Sequence, residues 1–135
     1  MHRLKNAIQK GQVILDLLAS DVESAIRTTI ATMVERDFLP ESVADKVCNS
    51  LLLRERQAPT AIGHGVAIPH AYVDGIKEQM VVFVRLDHPV NMGAPDGIPT
   101  QFMLFLLGPT GAAEEHLDTI AGIARLMSDD EFRYE

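Results

Sequence analysis

Apolar residues recur along this chain with two periods. Val22, Ala25, Ile26, Thr29, Ile30, Met33 and Val34 fall three or four positions apart, which predicts an amphipathic helix. Ser20-Asp21-Val22-Glu23 reads as its capping box, with Ser20 and Glu23 at the required spacing. Asp37 to Pro40 breaks it. A second helix begins near Glu41 and sets Val43, Val47, Leu51 and Leu52 on one face. Its last turn carries Arg54, Glu55 and Arg56, and cations there complement the helix dipole, a sufficient structural role for both arginines.

Other stretches read as strands. Val13 to Leu17 is a short one, while Met80 to Leu86 and Thr100 to Leu107 are apolar enough to be buried. Ile62 to Ile68 is strand-like but interrupted by Gly63 and Gly65, which predicts a bulge or a close backbone approach. His88 to Pro99 is rich in Gly and Pro and reads as a long loop, with Asp96-Gly97 as a tight turn. Gly108 to Gly111 turns the chain again. Glu114 to Met127 reads as a last helix, with Leu117, Ile120, Ala121, Ala124, Leu126 and Met127 as its burial candidates. Strands and helices alternate without a repeat. The expected fold is an α/β sandwich, a small mixed β-sheet flanked by helices.

Composition narrows this picture. The chain has 135 residues, so residues 1–135 are expected to form a single domain with a sizeable core. A net charge of −7 argues against a nucleic-acid partner. Cys48 is the one cysteine, so no internal disulfide forms, and its apolar helical context predicts core packing in a reducing compartment. No apolar run reaches the ~18 residues of a membrane helix, and no signal-peptide core follows the basic N-terminus, so a cytoplasmic location is expected. Ser128 and Glu131 have the spacing of another capping box shortly before Glu135, which suggests a truncated C-terminus and a longer parent chain.

The densest candidate chemistry lies in Thr60-Ala61-Ile62-Gly63-His64-Gly65-Val66-Ala67-Ile68-Pro69-His70. Pro69 fixes its own φ and forces Ile68 to be extended, so backbone geometry aims the His70 imidazole, here expected at a chain reversal. Ala71 is small and is expected to leave room for a ligand. A neutral imidazole is a good nucleophile and can carry a phosphoryl group, although a hydrogen-bonded turn histidine is an equal reading of His70 alone. His116, in the first turn of the last helix, reads alone as a surface residue, and Arg54 as a dipole-completing one. Together, Arg54 and a second histidine would stabilise the charge of a phosphorylated His70. His64 and His70 lack third and fourth ligands for a metal, so no metal site is expected. His88 is expected to be exposed.

These residues resemble a known family. Arg54-Glu55 followed by Thr60 to His70 is similar to the active-site signature of enzyme IIA of the mannitol/fructose type (type 2) in the bacterial phosphoenolpyruvate-dependent sugar phosphotransferase system. Asp96-Gly97-Ile98-Pro99 resembles that family's Asp-Gly-x-Pro turn, Thr100 to Leu107 its central strand, and His116-Leu117 with Ile120-Ala121 and Ile123-Ala124 its His-Leu-x-x-Leu-Ala helix. Ala58-Pro59 departs from the family's more flexible Gly/Ser loop, and Ala71 from its commonest Gly.

The resemblance implies that His70 accepts a phosphoryl group from the histidine-containing phosphocarrier protein. It would pass the group to a cysteine of a IIB domain, for sugar uptake or regulation. His116 would orient His70 or stabilise its phosphorylated form, and Arg54 would neutralise charge. Thr60, Gly63, His64 and Pro69 would support them, with no cofactor. A free-standing nitrogen-regulatory phosphoprotein fits the same motifs. Phe102 to Pro109 and Ile123 to Asp129 also resemble the cytoplasmic domain of bicarbonate/anion exchange transporters, which shares the fold. That resemblance implies a regulatory head tethered to the inner face of the membrane, with the membrane domain of its own transporter as partner. Apolar surface at a truncated end would favour a homodimer.

Overall fold

The computed structural model describes residues 12–111. The expected helix from Glu114 to Met127, His116 and the box at Ser128 lie outside the described residues. Strand β1 (Gln12–Leu17) leads into helix α1 (Val22–Glu35) and helix α2 (Glu41–Gln57). Strands β2 (Ala61–Gly63), β3 (Val66–Ala67), β4 (His70–Tyr72), β5 (Met80–Val90) and β6 (Thr100–Gly108) follow.

The apolar stripe of α1 is the expected one: Ala25, Ile26, Thr29, Ile30 and Met33 are buried. Its cap differs by one residue. Asp21, rather than Ser20, is the N-cap; its carboxylate accepts from Ser24 N–H at 2.7 Å, and Ser24 Oγ accepts from Asp21 N–H at 3.2 Å. Two overlapping boxes compete here, and the carboxylate is the stronger acceptor. Hydrogen bonding from Ser24, its N–H above all, holds the Asp21 carboxyl below its ordinary range. In α2, Val43, Val47, Cys48, Leu51 and Leu52 are buried, and burial pushes the Cys48 thiol up. Among the described residues no helix is long and apolar enough to cross a membrane.

The sheet is mixed, in the order β1-β5-β6-β3-β2, with β4 also on β6. β5 and β6 are antiparallel, β1 runs parallel to β5, and β3 and β4 both run parallel to β6. Successive residues of β6 point to opposite faces. Met103, Phe105 and Leu107 join the core beneath the two helices, with Val82, Val84 and Leu86 of β5. Leu104 and Leu106 join a second cluster with Val66, Ile68 and Val81. Burial on both faces explains why Phe102 to Leu107 is continuously apolar instead of alternating.

Three loop expectations change. Ile62 to Ile68 is not one strand but a hairpin, β2 antiparallel to β3, whose tip holds Gly63, His64 and Gly65 at φ 95°, 58° and 76°. Three consecutive left-handed residues reverse the chain within the tip, which is what the two glycines permit. At His70, by contrast, the chain does not reverse. Val66 lies opposite Phe102, His70 opposite Leu106 and Tyr72 opposite Gly108, so β3 and β4 follow β6 in one register across Ile68-Pro69. The third change is β5, which continues to Val90 and shortens the loop to residues 91–99. Pro89 fits because the β5–β6 register shifts between Arg85 and Val90, where a missing N–H costs no ladder bond.

Candidate functional site

His70 begins β4 and is half-buried. Its Nδ1 lies 3.0 Å from the carbonyl oxygen of Ile68. A carbonyl only accepts, so this bond places the proton on Nδ1 and leaves the Nε2 lone pair available. Ala71, the next residue, points the other way and is fully buried. It therefore packs the core and clears no space for a ligand, because alternation along a strand sends neighbours to opposite faces.

The space lies elsewhere. A cleft of about 320 Å³ is lined by Arg54, Gln57, Ala58, Pro59, Thr60, Ile62, Ile68 and His70. Arg54 reaches it from the last turn of α2. Its guanidinium carbon stands 5.3 Å from the ring centroid of Tyr72, a cation–π contact. Among the described residues no carboxylate pairs with Arg54, whose side chain lines the cleft. Tyr72 also faces His70, with ring centroids 6.0 Å apart. Burial pushes the Tyr72 phenol up, and Arg54 pulls it partly back. Sequence reading passed over Tyr72. Its signal was positional: two residues after His70 in a strand, it shares that residue's face.

Thr60 is held by Glu55. The Glu55 carboxylate accepts the Thr60 N–H at 3.2 and 3.4 Å and a close bond from the Thr60 hydroxyl. Ala58 is extended, as a residue before proline must be, and its N–H donates to the Arg54 carbonyl at 2.9 Å. The departure at Ala58-Pro59 thus ends the helix cleanly. Pro69 contributes its carbonyl, which accepts the Leu106 N–H at 2.9 Å.

His64 does not join His70 in the cleft. It sits exposed at the hairpin tip, where its N–H donates to Asp96 Oδ2 at 2.8 Å. Asp96 Oδ1 accepts from Ile98 N–H at 3.0 Å, so one carboxylate ties the 91–99 loop to the hairpin. A Cβ at Gly63 would stand 2.9 Å from Asp96 Oδ2, and its φ of 95° disfavours a side chain besides. Gly63 is thus required for the tie. The two amide bonds lower the Asp96 carboxyl below its ordinary 3.8. The sign follows from that direction. The tie contributes above the unfolded value and is lost as pH falls through the lowered folded one. Acid titration of the His64 and Ile98 amide resonances is expected to give a shared midpoint below 3.8. A midpoint at or above that value would contradict the tie.

The architecture defines the class first. It superposes on nitrogen regulatory protein IIA-Ntr from Neisseria meningitidis with a TM-score of 0.82 at 28% identity, covering 94% of this chain and 88% of that one. IIA mannitol from Escherichia coli gives 0.70 at 21% identity, over 88% and 82% of the two chains. A family model described as "Phosphoenolpyruvate-dependent sugar phosphotransferase system, EIIA 2" matches residues 6–135, and the chain belongs to that family. Among curated relatives, a nitrogen regulatory protein of Pseudomonas aeruginosa is 32% identical over 98% of this chain and 85% of its own length. One from Bradyrhizobium diazoefficiens is 42% identical over 60% of this chain and 53% of its own length. A fructose-specific EIIA component from Haloferax volcanii is 30% identical over 66% and 58%. The transporter-head resemblance draws no support from these relatives.

Proposed function

We propose that this chain is a phosphohistidine carrier, which accepts a phosphoryl group on Nε2 of His70 from the histidine-containing phosphocarrier protein. The observation that carries the reading is the His70 ring itself, pinned through Nδ1 to the Ile68 carbonyl in a cleft it shares with Arg54. Transfer forms a P–N bond at Nε2 as the bond to the donor's imidazole breaks. The imidazole is then cationic, its proton staying on Nδ1, where it is donated to the Ile68 carbonyl. Arg54 offsets charge on the phosphoryl oxygens. His116 is proposed as a second donor to that group. Thr60, Gly63, His64 and Pro69 support the loop, and residues 1–135 act as one domain in the cytoplasm.

Two destinations for the phosphoryl group compete. An Escherichia coli neighbour of similar fold is described in complex with phosphorylated enzyme IIB for mannitol, which makes a IIB cysteine one candidate acceptor. The stronger likeness to nitrogen regulatory proteins favours a regulatory role, with phosphorylation state as the signal. Incubation with phosphoenolpyruvate, the energy-coupling enzyme and the histidine carrier protein is expected to give acid-labile, alkali-stable label on the chain. No label would sink the carrier reading. Onward transfer to a fructose- or mannitol-type IIB domain would favour sugar uptake, and retention of the label would favour regulation.

A further inference from the structure

We propose that Glu55 is a positioning residue for His70, holding the ring in its Nδ1–H tautomer through Thr60 and Ile68. The proposal deepens the phosphocarrier reading and rests on it for its kinetic consequence.

Glu55 stands in the last turn of α2. A carboxylate there faces the negative end of the helix dipole, so helix stability alone does not favour it. Nor does it pair with the neighbouring Arg56, which reaches Glu23 at 3.9 Å instead. Its bonds go to Thr60, from both the N–H and the hydroxyl. Thr60 in turn accepts the Ile68 N–H on its carbonyl at 3.1 Å. Beyond Ile68, the Pro69 carbonyl is fixed by Leu106 N–H at 2.9 Å. The Ile68 carbonyl therefore sits between two anchored points, and it is the acceptor for His70 Nδ1 at 3.0 Å.

The coupling is positional. The N–H and C=O of Ile68 belong to adjacent peptide groups, so no single dipole carries it. Proline after Ile68 leaves little torsional freedom to absorb a shift. If Thr60 moves, the Ile68 carbonyl moves with it, and the Nδ1 bond lengthens. The ring then exchanges its proton between both nitrogens, and the share with a free Nε2 lone pair falls. Sequence reading treated Glu55 only as part of a signature, because its partner lies across the helix end and its effect lies ten further residues on.

Nitrogen-15 NMR of the His70 ring in alkaline solution, where an imidazole is neutral, tests this directly. The unaltered chain is expected to show a pyrrole-type Nδ1 and a pyridine-type Nε2. Glu55→Ala is expected to pull the two shifts together. In the carrier assay its kcat is expected to fall about tenfold with KM changed by less than about twofold, since misplaced reacting groups slow transfer without weakening binding. Glu55→Gln, which keeps one acceptor oxygen, and Thr60→Val, which keeps the N–H, are expected to be intermediate. They also serve if Glu55→Ala fails to fold. Thr60→Ser keeps both donors and is expected to preserve the ring shifts, and the control Arg56→Ala is expected to match the unaltered chain in both shifts and rate. Unchanged ring shifts in folded Glu55→Ala or Thr60→Val would overturn the proposal even if the rate fell. If the unaltered chain accepts no phosphate, the carrier reading fails, and the ring spectrum alone decides the positioning role.

Discussion

His70→Gln is expected to abolish acid-labile phosphorylation, with residual label lowered by at least ~10²-fold. Glutamine keeps a polar side chain on the open face of β4, but its amide nitrogen has no lone pair free to attack phosphorus. The effect should be chemical rather than structural. His70 is half-buried, and its backbone stays paired to β6 opposite Leu106 whatever the side chain. Stability is therefore expected to stay within about 1 kcal/mol, the one side-chain bond to Ile68 being the loss. Quantifying label and denaturation midpoint on the same preparation separates the two. Label that survives in His70→Gln would put the phosphoryl group on another residue.

Phe105→Ala is expected to destabilise the fold by about 3–5 kcal/mol. Phe105 is fully buried in the middle of β6, opposite Val82 and beneath the helices. Removing the ring leaves a cavity that β5 on one side and β3 and β4 on the other are held too tightly to close. Against a typical domain stability of ~5–15 kcal/mol this is a large share. The loss also has a functional route, because β6 carries the Leu106 N–H that fixes Pro69 beside His70. Urea denaturation measures it. The exposed Leu53→Ala is the internal control, with an expected change under about 0.5 kcal/mol. A loss under ~1 kcal/mol for Phe105→Ala would mean that the core collapses around the gap.

Helices α1 and α2, strand β6 and β5 as far as Leu86 are legible in the sequence, because each is written in a local pattern. Ala25, Ile26, Thr29, Ile30 and Met33 repeat at helical spacing. Thr100 to Leu107 is apolar enough for a strand buried on both faces. His70 was legible too, since Pro69 and the glycines around it constrain backbone that would otherwise be free. The cap of α1 was misplaced by one residue, because Ser20 and Asp21 offer nearly the same bond and sequence spacing does not rank acceptor strength.

The remaining features depend on residues that meet only when the chain folds. Nothing near Ile68-Pro69 in sequence says that the chain runs straight on along β6. That follows from the shared register of β3 and β4 with a strand far downstream. The Asp96 tie to His64 joins two loops through a carboxylate whose partners are backbone amides, and backbone donors leave no mark in composition. Tyr72 under Arg54 appears only once the end of α2 is set beside β4, and Glu55 meets Thr60 only because the chain turns just past the helix end. Periodicity and turn chemistry are short-range, so residues alone could supply the elements and the candidate imidazole. Which cation shares its cleft is decided by tertiary packing, which sets the end of α2 beside β4, whereas the proton on Nδ1 is fixed by a carbonyl only two residues away, in a strand that pairing with β6 holds extended.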